Sequence, residues 1–183
     1  MPAWTPRPEP VGCSIQSEFG TAWRYELVRG TIVAHAAPSP EHGVILNNLA
    51  GELYNRLRGH PECRSEVGSG AAPGYRQRNT ARIPDATIRC GKHPRVLFEV
   101  VSPHELRHKW QWVQRRSDLQ AVEGVQEIVE IFQDEMPAHI FRRQGDRWTF
   151  AWVAGVDAVM ELPSVGISVP LVASYERVLP EGV

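Results

Sequence analysis

Apolar positions fall into two patterns along this chain. Ile45, Leu49, Leu53 and Leu57 recur every fourth residue, the spacing of one buried helix face. Ser39 ahead of them suits an N-cap, Pro40 the first helical position, and Glu41 the positive end of the helix dipole. Gly59-His60-Pro61 stops the helix. The other pattern is short apolar or alternating runs bounded by turn residues. Residues 23–36 carry two such runs around Arg29-Gly30, a hairpin signal. One or two strands are expected in 62–72, and 76–82 is polar and basic, a loop or strand edge. Residues 85–90 and 95–101 read as strands joined by a turn. The second is almost continuously apolar, as in a strand buried on both faces.

Further on, Ser102-Pro103-His104-Glu105 forms a capping box. The spacing predicts one helix from there to about residue 121, with Leu106, Trp110, Val113 and Ser117 facing inward and Gly124 ending it. Residues 127–132 predict a strand. Residues 138–143 and 148–153 predict a hairpin across Gly145-Asp146. A short strand near 165–169 and a short amphipathic helix at 175–179 complete the chain. This order describes an α/β fold, a mixed central sheet flanked by helices with added β-hairpins. Residues 1–20, with four prolines in the first ten positions, read as a loose arm ahead of a single domain at 21–183.

Composition narrows the class. The chain has 183 residues, of which 42% are apolar and 22% charged, so it can fold around a core without staples. A net charge of −1 excludes a strongly basic nucleic-acid coat but allows a local basic face. Basic residues are 18 Arg and two Lys, Lys92 and Lys109, so chemistry that needs a lysine has two places to find it. Cys13, Cys63 and Cys90 are odd in number and lack CxxC spacing. That predicts neither a disulfide framework nor a thiolate zinc site, and fits a cytoplasmic protein. No run approaches the ~18 apolar residues of a membrane span, and the N-terminus lacks the apolar core of a signal peptide.

The chemistry concentrates between residues 83 and 99. Asp85 opens one strand and Glu99 lies within the next, among Val96, Leu97, Phe98, Val100 and Val101. A carboxylate embedded there must be paired, protonated or bound to a cation. Two carboxylates with a backbone carbonyl and waters make an oxygen site suited to Mg²⁺. The competing reading pairs Glu99 with a buried arginine and leaves Asp85 capping a turn.

Tyr25-Glu26-Leu27-Val28-Arg29-Gly30, Pro38-Ser39-Pro40-Glu41-His42, Pro84-Asp85 and Phe98-Glu99-Val100-Val101-Ser102-Pro103 follow one another in order. Residues 164–171 close the series. Together they resemble the bacterial family described as putative restriction endonucleases, a domain-of-unknown-function branch of the PD-(D/E)XK nuclease superfamily. The resemblance spans about residues 23–179. It implies a restriction-endonuclease-like fold that hydrolyses DNA phosphodiester bonds by a metal-activated water, with Mg²⁺ or Mn²⁺ as cofactor. It implies that Asp85 and Glu99 ligate the metal with the Val100 carbonyl, while Glu26 and His42 fall on motif positions beside it.

The lysine departs from the superfamily pattern. Two residues after Glu99 stands Val101, and the family's alternative place on the following helix falls near Arg115 or Arg116. Lys109, about two turns into that helix, is the remaining candidate. Arg107, Arg115 and Arg116, with Arg76, Arg78 and Arg82 before Asp85, form candidate contacts to a phosphate backbone. The competing reading makes these charges a solvated face, with Trp110 in the core more readily than Trp112. Two other functions compete with the nuclease. One is a non-cleaving nucleic-acid-binding relative, favoured by the missing lysine. The other is a homodimeric partner-binding protein that uses Phe141, Trp148, Phe150 and Trp152.

Overall fold

The computed structural model describes residues 24–35, 37–69 and 79–178. The expected N-terminal arm, Arg76 and Arg78 lie outside these residues. Strands β1 (Arg24–Val28) and β2 (Thr31–His35) form the first hairpin. Its turn places Arg29 and Gly30 at φ 50° and 83°, which is why glycine follows the arginine. Helix α1 (Pro40–Arg56) begins where the capping signal lies, with the His42 amide donating to Ser39 Oγ at 3.2 Å. Its buried face is His42, Ile45, Leu49 and Leu53.

The central sheet has six strands in the order β3-β4-β5-β6-β7-β8. These are β3 (Cys63–Val67), β4 (Ala86–Cys90), β5 (His93–Val101), β6 (Glu127–Phe132), β7 (Pro137–Gln144) and β8 (Arg147–Ala154). Neighbours are antiparallel except β5 and β6, a parallel pair that requires a crossover. Two helices, α2 (Pro103–Arg107) and α3 (Lys109–Gln120), make it. One face of the sheet packs Ala86, Ile88, Val96, Phe98, Val100, Val129 and Ile131 against α1. A small sheet of β9 (Val159–Leu162) and β10 (Ile167–Pro170), followed by a 3₁₀ helix at Leu171–Tyr175, joins that core. On the other face, Leu97, Ile128 and Phe141 meet Leu119, Val122 and Val125. This is the mixed sheet between helices that the pattern predicts.

Several expectations are corrected. The helix after Ser102 breaks at His108, whose φ/ψ of −103°/51° is non-helical. The break re-phases the inward face to Trp112, Arg115, Asp118 and Leu119. Leu106, Trp110 and Val113 are therefore exposed, Trp110 to 76%. Trp112, not Trp110, belongs to the core, packing with Val101 and Phe132. The expected helix at 175–179 is replaced by the 3₁₀ turn that ends at Tyr175, whose hydroxyl donates to the carbonyls of Phe132 (2.5 Å) and Glu135 (2.8 Å). Cys63 and Cys90 stand opposite each other on β3 and β4 and form a disulfide, which odd-cysteine counting does not foresee. No helix among the described residues is long and apolar enough to cross a membrane.

Candidate active site

Antiparallel pairing of β4 and β5 sets Ala86 opposite Phe98. The Asp85 amide donates to the Phe98 carbonyl at 3.0 Å, and Asp85 Oδ2 accepts from the Val100 amide at 2.8 Å. Asp85 thus belongs to the same ladder as Glu99. Alternation along β5 places Glu99 on the face of Leu97 and Val101, beneath α3. Both carboxylates are buried, 2% and 3% exposed.

Each carboxylate has its own cation. Arg24 Nη1 lies 2.7 Å from Asp85 Oδ1, and His42 Nε2 is 3.5 Å from the same oxygen. Burial raises the Asp85 pKa. The His42 hydrogen bond, the charges of Arg24 and His42 and the Val100 amide outweigh it, holding Asp85 at about 2. Glu99 Oε1 is 3.0 Å from Arg115 Nη2, yet the alignment is not that of a hydrogen bond and this buried oxygen has no hydrogen-bond partner. Burial pushes Glu99 up to about 8, with the charge of Asp85 adding to it and Arg115 working against it.

Behind this pair lies a buried charge network. Glu26 accepts from Arg115 Nη1 at 2.7 and 2.8 Å, from Arg82 Nη1 at 3.1 Å and from the Ile83 amide at 2.7 Å. His35 Nε2 stands 3.0 Å from its Oε2. Asp118 Oδ2 in turn accepts from Arg82 Nε (3.0 Å) and Nη2 (2.7 Å). Arg115 Nη2 also donates to the Ile83 carbonyl at 2.9 Å. Burial opposes the Glu26 charge, but His35, Arg115 and the Ile83 amide hold its pKa far below the ordinary carboxylate range. Burial likewise disfavours the Arg115 charge, yet Glu99 and Glu26 hold its pKa above the usual arginine range.

The structure therefore brings Glu26, His42, Asp85, Glu99, Arg82 and Arg115 into one cluster. Lys109 is exposed at the start of α3 and outside it, and Arg107 is exposed on α2. Arg116 pairs with Glu130 at 2.5 Å and lies over the Phe141 ring. Arg82 and Arg115 are engaged in buried ion pairs rather than spread on an open surface. Sequence reading did not single out Arg24, His35 or Asp118. Arg115, Asp118 and Leu119 share one helix face with Trp112, but the charge of Asp118 makes it read as a solvent-facing position.

Whether this site suits a divalent cation turns on its oxygens. Among the described residues no group of three or more His, Cys, Asp and Glu is arranged to hold a metal. The Asp85–Glu99 pair is a smaller donor set of hard oxygens. The buried Oε1 of Glu99, in an ion pair with Arg115 but without a hydrogen bond, is the acceptor a cation would satisfy. On that observation the residues fit.

A mixed sheet between helices, with buried carboxylates just ahead of β4 and within β5, is the setting of this site, and the fold is nuclease-like. The chain belongs to the Uma2 family, described as "Putative restriction endonuclease", whose profile matches residues 14–171. A solved structure of similar fold is that of a "putative nuclease belonging to DUF820" from Anabaena variabilis ATCC 29413. It is 17% identical with a TM-score of 0.67, and the alignment covers 85% of this chain and 91% of that one. No curated protein sequence matches the chain.

Proposed function

We propose that this protein is a metal-dependent endodeoxyribonuclease that hydrolyses phosphodiester bonds of DNA at the Asp85–Glu99 pair. The observation that carries this reading is the convergence of two buried carboxylates, one just ahead of β4 and one within β5, the latter with an oxygen that has no hydrogen bond. Membership of a restriction-endonuclease family supports it. Asp85, Glu99 and the Val100 carbonyl would hold Mg²⁺ or Mn²⁺. When bound, such a cation polarises a phosphoryl oxygen and acidifies water.

The chain's own groups supply the rest. Arg115, fixed by Glu26, presents a permanent positive charge beside Glu99 and favours charge that accumulates on a phosphate. Being an arginine, it does not transfer the proton that a lysine there would. Arg24 and His42 keep Asp85 ionised. Glu26 and Asp118 hold the two arginines and act as positioning residues. The test is calorimetric titration of Mg²⁺ and Mn²⁺ into wild type and Glu99→Gln, with plasmid nicking on the same samples. Loss of both binding and nicking in the variant is expected. Undiminished nicking by Glu99→Gln would overturn the proposal.

One observation favours a second reading, a non-cleaving nucleic-acid-binding relative: the Arg115 guanidinium stands against Glu99 where the family pattern calls for a lysine. Metal binding without nicking on any DNA substrate would select it.

A further inference from the structure

Between the β1–β2 hairpin and helices α2 and α3 lies a cleft of about 400 Å³. Arg82 and Arg115 line it. Both side chains pair with Glu26, and Arg115 also lies 3.0 Å from Glu99, so one arginine links the cleft wall to the acidic pair. Its volume is that of a small-molecule site. It takes one nucleotide, not a base pair with two backbones.

Three features describe the occupant. Val28 and Val33 give the cleft an apolar wall. Trp110 borders it with an indole 76% exposed, while Trp112 fills the core. An exposed ring beside an apolar slot is a platform for a flat aromatic group. Arg115, 6% exposed, commits Nη1 and Nη2 to Glu26, the Ile83 carbonyl and Glu99, and its buried Nε is a donor without a partner. Arg82 and Arg115 bring positive charge to the cleft wall, which favours an anionic occupant such as a phosphate oxygen. The one carboxylate on the cleft wall, Glu105, has its Oε2 engaged by the Ser102 amide and hydroxyl.

Access points the same way. Asp85 and Glu99 are 2% and 3% exposed. A stiff duplex enters so recessed a site less readily than a single strand, which can be threaded in one nucleotide at a time. We infer that the cleft takes an unpaired DNA strand, one nucleotide entering with its base against Trp110 and its phosphate toward Arg115. This rests on the nuclease reading and names its substrate class.

The test uses the full chain in EDTA and fluorescence anisotropy with a labelled oligothymidine of about 12 nucleotides and a duplex of equal length. Wild type, Trp110→Ala and Trp110→Phe are compared. The expected result is a strand affinity roughly tenfold or more above that for duplex. Trp110→Ala should weaken strand binding by roughly tenfold and Trp110→Phe by much less. Equal affinity for strand and duplex, or an unchanged Trp110→Ala, overturns the inference. Because Trp110 is exposed, the variants should fold, and circular dichroism verifies it. Plasmid nicking on the same proteins separates the two readings. Nicking without strand preference keeps the nuclease and removes this substrate. Trp110-dependent strand binding with no cleavage of either DNA does the reverse.

Discussion

Removing the Glu26 carboxylate should unfold this protein more readily than any change at its surface. Glu26 is 3% exposed and accepts from two guanidinium groups and a backbone amide. Glu26→Ala leaves Arg115 as a buried cation with only Glu99 as a charged partner. Arg82 keeps Asp118, and the Ile83 amide loses its acceptor. Breaking a buried pair by deleting one partner costs about 3–5 kcal/mol, a large share of the ~5–15 kcal/mol that holds a domain together. Glu26→Gln keeps the shape and one acceptor oxygen and should cost roughly half as much. Urea unfolding followed by tryptophan fluorescence measures both.

The pH dependence adds a sign. The folded carboxyl titrates far below its ordinary value of 4.5. Its contribution is therefore complete above the unfolded value and is lost as pH falls through the acid range toward the folded one. Wild type should lose more stability than Glu26→Gln between about pH 5 and pH 3. A Glu26→Ala midpoint equal to that of wild type, or identical acid profiles for wild type and Glu26→Gln, would refute the reasoning.

Further measurements bear on other parts of the molecule. With Glu99 raised to about 8, a cation must displace a proton below that pH. Apparent Mg²⁺ affinity should climb by up to about tenfold per pH unit from 6 to 8 and then level; a flat profile would count against Glu99 as a ligand. Arg115→Lys supplies a group that can exchange a proton, and should nick plasmid faster than wild type while lowering the urea midpoint. A rate below that of wild type would remove the idea that a lysine is what this site lacks. Reducing Cys63–Cys90, which closes a separation of 27 residues, should cost about 3–4 kcal/mol, seen as a lower midpoint in reductant. Tyr175→Phe abandons the Phe132 and Glu135 carbonyls and should cost about 1–3 kcal/mol by the same assay.

The parts of the fold legible in the sequence are those where local chemistry and burial agree. Ser39, Pro40 and the Ile45–Leu49–Leu53 stripe specify α1 at both its start and its face. The apolar run of β5, broken by Glu99, announces a central strand with one carboxylate inside it. What was hidden is where charge is buried. Arg115 and Asp118 are charged and read as solvent-facing, so the apolar spacing favours a stripe through Trp110 and Val113. Their inward placement depends on Glu26 and Arg82, 89 and 36 residues away, and no local pattern records such partners. The break at His108 is not marked by proline or glycine, so the spacing predicts a continuous helix there. Cys63 and Cys90 find each other through strand register, which counting cysteines cannot reveal.

The arginine partners of the acidic pair have a bearing on how the chain is made. In a zinc finger the ion is part of the folding reaction, and the polypeptide waits for it. Here Arg24 and Arg115 stand within 2.7 and 3.0 Å of Asp85 and Glu99, so the folded chain carries its own cations beside the acidic pair. Folding should therefore not depend on cation supply: the chain should reach its full shape in chelator.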